Sequence, residues 1–168
     1  MIFFLTGASG VGKTSLVAYL KENDSQQRFT YLHFDSIGIP NSEEMGDPHA
    51  WQKRVTHEWI EKLIEQPQEK PILFEGSTNM EFIDSGFVNQ NFSHYQVILI
   101  DCSDEQMFDR LIHKRKQPEL ANEQMKNWRK YLRNQAIERN VPIIDTSNQP
   151  LEASAKQLQE IFRTHIQP

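Results

Sequence analysis

The sequence predicts an α/β fold with a largely parallel sheet. Short apolar segments typical of strands alternate with longer segments that have the apolar spacing of helices. The apolar segments end close to a glycine or a carboxylate, and ligands of open α/β sheets bind beyond the carboxyl ends of the strands. The length of 168 residues indicates one domain over residues 1–168. The predicted strands are Ile2–Leu5, Thr30–Phe34, Pro71–Phe74, Gln96–Asp101 and Pro142–Asp145.

The first predicted strand leads directly into a phosphate-binding motif. Residues 7–14 read G-A-S-G-V-G-K-T, which matches G-x-x-x-x-G-K-[ST] between a strand and a helix. Gly7 and Gly12 allow positive φ, so that successive N–H groups point at a phosphate above a helix N-terminus. Lys13 is expected to contact the β- and γ-phosphates, and the hydroxyl of Thr14 to bind Mg²⁺. The residues expected to hold a nucleoside triphosphate are Gly7, Ala8, Ser9, Gly10, Val11, Gly12, Lys13, Thr14 and Ser15.

The segments between the strands have the spacing of helices that bury one face. The helix before Pro67 repeats its apolar residues every four positions, and Ser103 begins a capping-box pattern after the fourth strand. The last helix is expected to begin near Pro150, and the polar segment Gly38–Pro48 to form a mobile loop. The residues expected to face the core are Leu16, Val17, Leu20, Trp51, Val55, Trp59, Leu63, Met107, Phe108, Leu111, Ile112, Met125, Trp128, Leu132, Ala136, Leu151, Leu158, Ile161 and Phe162.

Two carboxylates follow predicted strands and are candidates for chemistry. Glu75 ends the strand before Gly76, the arrangement of an acid that holds Mg²⁺ beside a P-loop; its alternative role is to accept hydrogen bonds from local N–H groups. Asp35 follows the second strand and can accept a proton from an attacking hydroxyl. Its alternative role is to form an Asx-turn or helix cap at the start of the next loop.

Basic residues cluster after the fourth strand. Arg110, Lys114, Arg115 and Lys116 lie at the end of a predicted helix and in the loop that follows. Arginine has forked donors that suit phosphoryl oxygens, so we expect at least one of these cations to touch phosphate. The alternative is a solvated helix end, where the helix dipole favours positive charge. Arg129 and Arg133, one turn apart on a later helix, present the same two alternatives.

Composition excludes several classes of function. The formal net charge of −5 argues against a general nucleic-acid surface, so we expect no nucleic-acid partner. Cys102 is the only cysteine, which excludes an intrachain disulfide and a cysteine-based metal site. The N-terminal apolar stretch is too short for a signal peptide or a membrane span. We therefore expect a cytoplasmic protein with no membrane association, as a monomer or homodimer.

Two short fragments match motifs of GTPases. Residues 35–38 read D-S-I-G and residues 154–156 read S-A-K. The chain has no N-K-x-D stretch to bind guanine, and residues 154–156 fall inside the last predicted helix. Because a motif counts only in its structural context, the sequence disfavours a GTPase.

Across nearly its whole length the chain resembles the P-loop nucleoside and nucleotide kinase-like superfamily. The segments that carry the resemblance are GASGVGKT, HFDSIG, FEGS, IDCSDEQMFDRLIHKR and IIDTSNQPLEASAKQL. The resemblance implies a three-layer α/β/α sandwich, the P-loop NTPase fold, with a five-stranded parallel sheet in the order 2-3-1-4-5. It also implies a mobile lid at about 114–122 that carries Arg115, and base contacts from Ser147 and Asn148 and also from Gln149.

The sequence departs from that superfamily where the acceptor binds. The third strand is followed by E-G-S-T-N from Glu75, where adenylate kinase-like proteins usually carry D-G-[FY]-P-R. The G-G-G segment of shikimate kinase-like proteins is absent, and deoxynucleoside kinases have E-R-S where this chain has E-G-S. The acceptor is therefore not readable from the sequence.

The expected function is that of an ATP-using, Mg²⁺-dependent phosphotransferase acting on a small-molecule acceptor. Thr14 and Glu75 would hold the metal, Asp35 would orient or deprotonate the acceptor, and Arg115 with Arg110 would close over the phosphoryl group. A nucleotide-switched protein that acts through a protein partner is the alternative. An ATP-binding protein without turnover is a third interpretation.

Overall fold

The computed structural model describes residues 1–37, 45–67 and 69–166. One sheet contains five parallel strands in the order β2-β3-β1-β4-β5, which confirms the expected order. Each predicted strand is present, and its ends differ from the prediction by at most one residue. The strands are β1 (Ile2–Thr6), β2 (Thr30–His33), β3 (Ile72–Glu75), β4 (Tyr95–Asp101) and β5 (Ile143–Asp145).

Helices cover both faces of the sheet and make the three-layer sandwich. The strands of a doubly covered sheet are apolar along their length rather than alternating, and all five residues of β1 are buried. The helices within the described residues are α1 (Lys13–Glu22), α2 (Pro48–Glu65), α3 (Met80–Asn89), α4 (Asp104–Asp109), α5 (Glu123–Glu138) and α6 (Leu151–His165). Phe3 and Leu5 pack against α1 and α6, whereas Ile2 and Phe4 pack against α2, α3 and α5.

Polar side chains fix where four of these helices begin. The carboxylate of Asp47 accepts hydrogen bonds from two N–H groups of the first turn of α2. Asn79 caps α3, Ser103 caps α4 as predicted, and Asn122 caps α5, each by accepting a backbone N–H. Such caps satisfy donors that have no partner within the helix, and each contributes about 1 kcal/mol. Helix α6 begins at Leu151, directly after Pro150.

Helix α4 continues into a π-helical turn, Arg110–Lys114, that the sequence does not predict. The N–H of Arg115 donates to the carbonyl of Arg110 over 2.9 Å, a bond that spans five residues instead of four. The extra residue in the turn rotates the side chains that follow, so Ile112 is 38% exposed and the expectation that it faces the core is wrong. Leu151, in the first turn of α6, is also 39% exposed instead of buried.

Two expectations concern segments rather than single side chains. The predicted loop Gly38–Pro48 falls mostly outside the described residues. Among the helices that the structure describes, none combines the length and the hydrophobicity that a membrane-spanning segment needs.

Candidate functional site

The P-loop lies at the carboxyl end of β1 and passes close against β4. Gly7 has a φ of +154°, and a Cβ atom there would lie 2.3 Å from the carbonyl oxygen of Ile100. Gly12, with a φ of +102°, directly precedes the first residue of α1. Side chains rarely adopt such φ values, so both positions require glycine to bring the loop onto the helix N-terminus. The positive φ values expected at Gly7 and Gly12 are confirmed.

The ammonium group of Lys13 is folded back onto its own loop. Its Nζ atom donates to the carbonyl oxygens of Gly7, at 2.8 Å, and Ala8, at 2.9 Å. The pKa of Lys13 is lowered to about 8, chiefly because the ammonium is buried. The carboxylates of Glu75 and Asp35 oppose this shift, and the charge of Arg115 adds to it. Two neutral carbonyls compensate a buried ammonium poorly, so an anionic ligand would be a better partner.

Glu75 meets the P-loop helix through a direct hydrogen bond. The hydroxyl of Thr14 donates to Oε1 of Glu75 over 3.0 Å, and Nδ1 of His33 lies 2.8 Å from the same oxygen. Strand register explains the contact, because His33 on β2 stands directly opposite Glu75 on β3. The sequence does not predict His33 as a site residue, because its place opposite Glu75 depends on the register between β2 and β3.

Thr14 and Glu75 are suited to a magnesium ion that shares its coordination with phosphate. The described residues contain no group of three or more histidine, cysteine, aspartate or glutamate side chains that could hold a metal by themselves. Mg²⁺ needs no such group, since it usually takes one or two protein oxygens together with waters and substrate phosphates. The hydroxyl and the carboxylate, which already touch each other, supply such a pair.

Asp35 lies in the 3₁₀ turn Phe34–Ile37, directly after β2. Its side chain is exposed, and within the described part of the chain it has no hydrogen-bond or ion-pair partner. Its charge nevertheless raises the pKa of Lys13, which places the carboxylate within electrostatic reach of the P-loop. Gly76 brings the two strand ends together, because a Cβ atom there would lie 2.6 Å from the Cβ of Phe34.

A strongly basic cavity of about 750 Å³ lies over the P-loop and the start of α1. Its described lining contains four cationic side chains and no carboxylate. Such a concentration of positive charge at a helix N-terminus is suited to a polyphosphate. The lining residues are Gly10, Gly12, Lys13, Thr14, Ser15, Arg110, Lys114, Arg115, Thr146, Gln149, Leu151 and Ser154.

Arg110 holds the P-loop against the turn between β5 and α6. Its Nη1 atom donates to the carbonyl of Val11, at 3.0 Å, and to the hydroxyl of Thr146, at 2.8 Å, while Nη2 donates to the carbonyl of Thr146, at 2.7 Å. The Thr146 hydroxyl in turn donates to the carbonyl of Val11 over 2.7 Å. The guanidinium has fixed acceptors here, so Arg110 braces the P-loop. That Arg110 also closes over the phosphoryl group with Arg115 stays a prediction.

Arg115 is one of two exposed cations in the described lining of the basic cavity, the other being Lys114. It follows the π-helical turn, lines the basic cavity and lowers the pKa of Lys13 through its charge. Its guanidinium has no hydrogen bond or ion pair to the described residues. The segment expected to form a lid, about 114–122, contains the short 3₁₀ turn Pro118–Leu120. That this segment closes over a ligand stays a prediction.

The turn after β5 meets the cavity through one of the three predicted base contacts. The hydroxyl of Ser147 bonds to the Asp145 carboxylate and accepts the N–H of Ser103 at 2.7 Å. Burial raises the pKa of Asp145, but its hydrogen bonds from Ser147 outweigh this effect, so the pKa is lowered overall. Asn148 is exposed and, like Ser147, is not among the lining residues. Gln149, the third predicted contact, does line the cavity, together with Thr146. That this turn contacts a base stays a prediction.

The two arginines of α5 are engaged in ion pairs rather than turned to the basic cavity. Nη1 of Arg129 lies 3.0 Å from the buried carboxylate of Asp101, and Nε lies 2.8 Å from Asp104. Burial by itself lowers the pKa of Arg129, but the hydrogen bonds to Asp101 and Asp104 and the charges of these carboxylates raise it overall. Arg133 pairs with the same Asp101 carboxylate. These cations therefore neutralise the end of β4.

Comparison with solved structures finds the same fold in small-molecule kinases. Shikimate kinase from Acinetobacter baumannii, in complex with shikimate, is 19% identical with a TM-score of 0.65, covering 99% of this chain and 95% of that chain. Thymidylate kinase from Candida albicans is 12% identical with a TM-score of 0.63, covering 97% and 91%. Deoxyadenosine kinase from M. mycoides is 11% identical with a TM-score of 0.56, covering 98% and 99%.

Sequence comparisons give one family and no individual relative. The search of curated proteins finds no match. The solved structures above have the P-loop nucleotide kinase-like fold, which confirms the resemblance read from the sequence motifs. The model of the AAA domain family matches residues 3–129. Since that match covers more than half of the sequence and includes the P-loop, the chain belongs to the AAA domain family.

Proposed function

We propose that this protein is a Mg²⁺-dependent phosphotransferase that moves the γ-phosphoryl group of ATP to a small-molecule acceptor. One observation carries the proposal. Lys13 is the first residue of α1, and its pKa responds to the charges of three groups from other parts of the chain: Asp35, Glu75 and Arg115. A phosphate-binding cation, a metal-binding acid, a candidate base and an unpaired cation are the groups that phosphoryl transfer requires.

The P-loop amides and Lys13 bind the triphosphate in this proposal. Lys13 exchanges its two carbonyl partners for oxygens of the β- and γ-phosphates. Thr14 and Glu75 hold Mg²⁺, which supplies charge neutralisation on the phosphate oxygens when bound. Arg110 keeps the loop in place through Val11, and the adjoining turn contacts the base.

Asp35 orients the acceptor hydroxyl and takes its proton. The hydroxyl oxygen forms a bond to the γ-phosphorus, the bond from that phosphorus to the leaving oxygen of ADP breaks, and the proton passes to the Asp35 carboxylate. Arg115 lies near enough to influence Lys13 and stabilises the charge on the transferred group. Its freedom from other partners in the described structure leaves it available for this role.

The experiment is an assay of ADP formation from Mg-ATP with a panel of nucleosides, nucleotides, sugars and sugar acids. Lys13→Ala serves as the blank. We expect Asp35→Asn to lower acceptor-dependent turnover by about 10²-fold with little change in ATP affinity. Glu160→Gln, which neutralises an exposed carboxylate on α6, is the matched control and should leave turnover unchanged. Equal turnover in Asp35→Asn and the wild type would remove Asp35 from the mechanism.

A flat panel with normal ATP binding would instead favour a nucleotide-switched protein. In that case slow hydrolysis continues without an acceptor, and a protein partner distinguishes the ATP state from the ADP state.

A further inference from the structure

A second cavity, which we call the neutral groove, lies between the start of α2 and the first turns of α5. Its volume is about 630 Å³, within the usual range for small-molecule sites. The described residues that line it are Pro48, His49, Gln52, Leu120, Asn122, Gln124, Met125, Asn127, Trp128 and Tyr131.

The neutral groove borders the proposed catalytic centre. The indole Nε1 of Trp128 donates to the Ser77 hydroxyl over 3.1 Å, and Nε2 of Gln52 donates to the Ser77 carbonyl over 3.2 Å. Ser77 stands two positions after Glu75, whose carboxylate contacts Thr14 of the P-loop. The groove is therefore joined, through Ser77, to the segment that follows the proposed metal-binding acid.

The groove differs sharply from the basic cavity in charge. Its described lining contains no lysine, arginine, aspartate or glutamate, whereas the basic cavity has four cationic side chains. Lys126 and Glu123, close by on α5, pair with each other at 3.2 Å. Arg129, on the same helix, is committed to the buried Asp101. Apart from the imidazole of His49, whose ring packs edge-on against Phe82, the described lining offers no side chain that can carry positive charge. A phosphate or carboxylate taken into the groove would therefore lose water without gaining a lysine or arginine partner, which is unfavourable.

Two aromatic rings form a fixed platform in the groove. The rings of Trp128 and Tyr131 are stacked, with centroids 5.6 Å apart and planes 22° apart. Trp128 is held by its bond to Ser77, and the Tyr131 hydroxyl accepts hydrogen bonds from Asn79 at 3.1 Å and Gln135 at 3.0 Å. Tyr131 is still 43% exposed. An exposed, preorganised aromatic surface favours a ligand that contains a flat ring.

Amide side chains surround this platform and supply neutral polar contacts. Gln124 and Asn127 line the groove, and neither side chain has a hydrogen bond to the described residues. An amide offers both a donor and an acceptor, which matches the polar edge of a heterocyclic ring without requiring a charge. These groups can therefore select a ring by its hydrogen-bonding edge.

We propose that the acceptor is an uncharged alcohol with a planar ring, a nucleoside being the chemical class that fits, and not a nucleotide or a carboxylic acid. The inference rests on the proposed kinase function. The ring stacks on Trp128 and Tyr131, the amides contact its edge, and a hydroxyl faces Asp35. As above, that hydroxyl bonds to the γ-phosphorus, ADP leaves and Asp35 receives the proton.

The test compares matched charged and uncharged probes in two assays. Adenosine, thymidine, cytidine and pyridoxine are compared with AMP, TMP, CMP and shikimate, with glycerol as an uncharged alcohol without a ring. ADP release measures turnover, and titration calorimetry in the presence of a non-hydrolysable ATP analogue measures binding. We expect at least one uncharged ring compound to bind and react at least about tenfold better than its charged counterpart and than glycerol.

A charge placed in the groove should change this preference. We expect Gln124→Arg to improve the monophosphate relative to the nucleoside by at least about tenfold. Val88→Arg adds the same charge at a side chain that is 72% exposed on α3, and it should leave the ratio unchanged. An equal change in both variants would contradict the role of the groove.

The possible results separate the inference from the proposed function. Turnover that favours a monophosphate, shikimate or glycerol overturns the inference and leaves the kinase intact. Binding of an uncharged ring compound that Gln124→Arg weakens, without ADP release, supports the ligand class and removes the kinase. Failure of all four uncharged ring compounds to bind or to react overturns the inference.

Discussion

Binding of ATP should be accompanied by proton uptake at Lys13. The pKa of Lys13 is lowered from 10.5 to about 8 in the nucleotide-free protein because the ammonium is buried. A difference of about 2.5 pKa units corresponds to about 3 kcal/mol of unfavourable free energy of the charged form. A bound triphosphate removes that penalty by placing anionic oxygens beside the ammonium, and it returns the pKa to at least its ordinary value.

The expected uptake follows from the fraction of Lys13 that is neutral before ATP binds. With a pKa of about 8, about 0.1 proton per ATP is taken up at pH 7, about 0.5 at pH 8 and about 0.9 at pH 9. The apparent affinity for Mg-ATP should therefore fall about twofold at pH 8 and about tenfold at pH 9, relative to pH 6.5. An unperturbed lysine would give an uptake of only about 0.03 at pH 9.

The lowered pKa of Lys13 also makes the stability of the nucleotide-free protein depend on pH. The folded-state pKa of Lys13 is below its unfolded value, so the charged lysine destabilises the nucleotide-free fold at pH values below about 8. This cost, about 3 kcal/mol, is relieved as the pH rises from about 8 to about 10.5.

Isothermal titration calorimetry in two buffers with different ionisation enthalpies measures the uptake directly at pH 7, 8 and 9. Lys13→Met is the control, since it binds ATP more weakly but has no ammonium to titrate. An uptake below about 0.1 at pH 9 in the wild type would refute the reasoning, because it would mean that Lys13 remains charged in the free site.

Three further substitutions, one of them with a control variant, test other parts of the molecule. Glu75→Gln should raise the Mg²⁺ concentration for half-maximal ADP release by about tenfold or more, with ATP affinity in EDTA unchanged. Arg129→Ala should lower the free energy of unfolding in urea by about 3 kcal/mol because it strips a buried carboxylate, Asp101, of a partner. Arg54→Ala, in an exposed pair, should cost less than about 1 kcal/mol. Gly7→Ala should lower the free energy of unfolding by about 3 kcal/mol, because the added Cβ atom would lie 2.3 Å from the carbonyl oxygen of Ile100. An unchanged melting temperature would contradict this expectation.

The features that the sequence predicts well are those set by short stretches of chain. The P-loop conformation at Gly7 and Gly12 follows from a motif in its local context, and the cap at Ser103 follows from four consecutive residues. Strands β1, β3 and β4 are predictable because each contains an uninterrupted apolar run. Apolar runs and motif spacing therefore predict where the strands lie, whereas their order in the sheet is implied by the family resemblance alone.

The features that sequence reasoning missed depend on contacts between distant residues. His33 joins Glu75 only because strands β2 and β3 align at their carboxyl ends, and a register across 42 residues has no local signal. The π-helical turn that follows Asp109 changes the direction of every later side chain in that segment. Regular helical spacing consequently put Ile112 in the core and gave no means of separating the fixed Arg110 from the exposed Arg115.

The hydrogen bonds of Thr146 determine how early in synthesis the P-loop can reach its folded conformation. Its hydroxyl donates to the carbonyl of Val11, 135 residues earlier in the chain, and it also accepts from the Arg110 guanidinium. The N-terminal phosphate loop is thus braced by a strand end near the C-terminus. During translation the P-loop leaves the ribosome before Thr146, which holds it in place through these hydrogen bonds. We therefore expect a nascent chain to gain nucleotide affinity only after Thr146 has emerged.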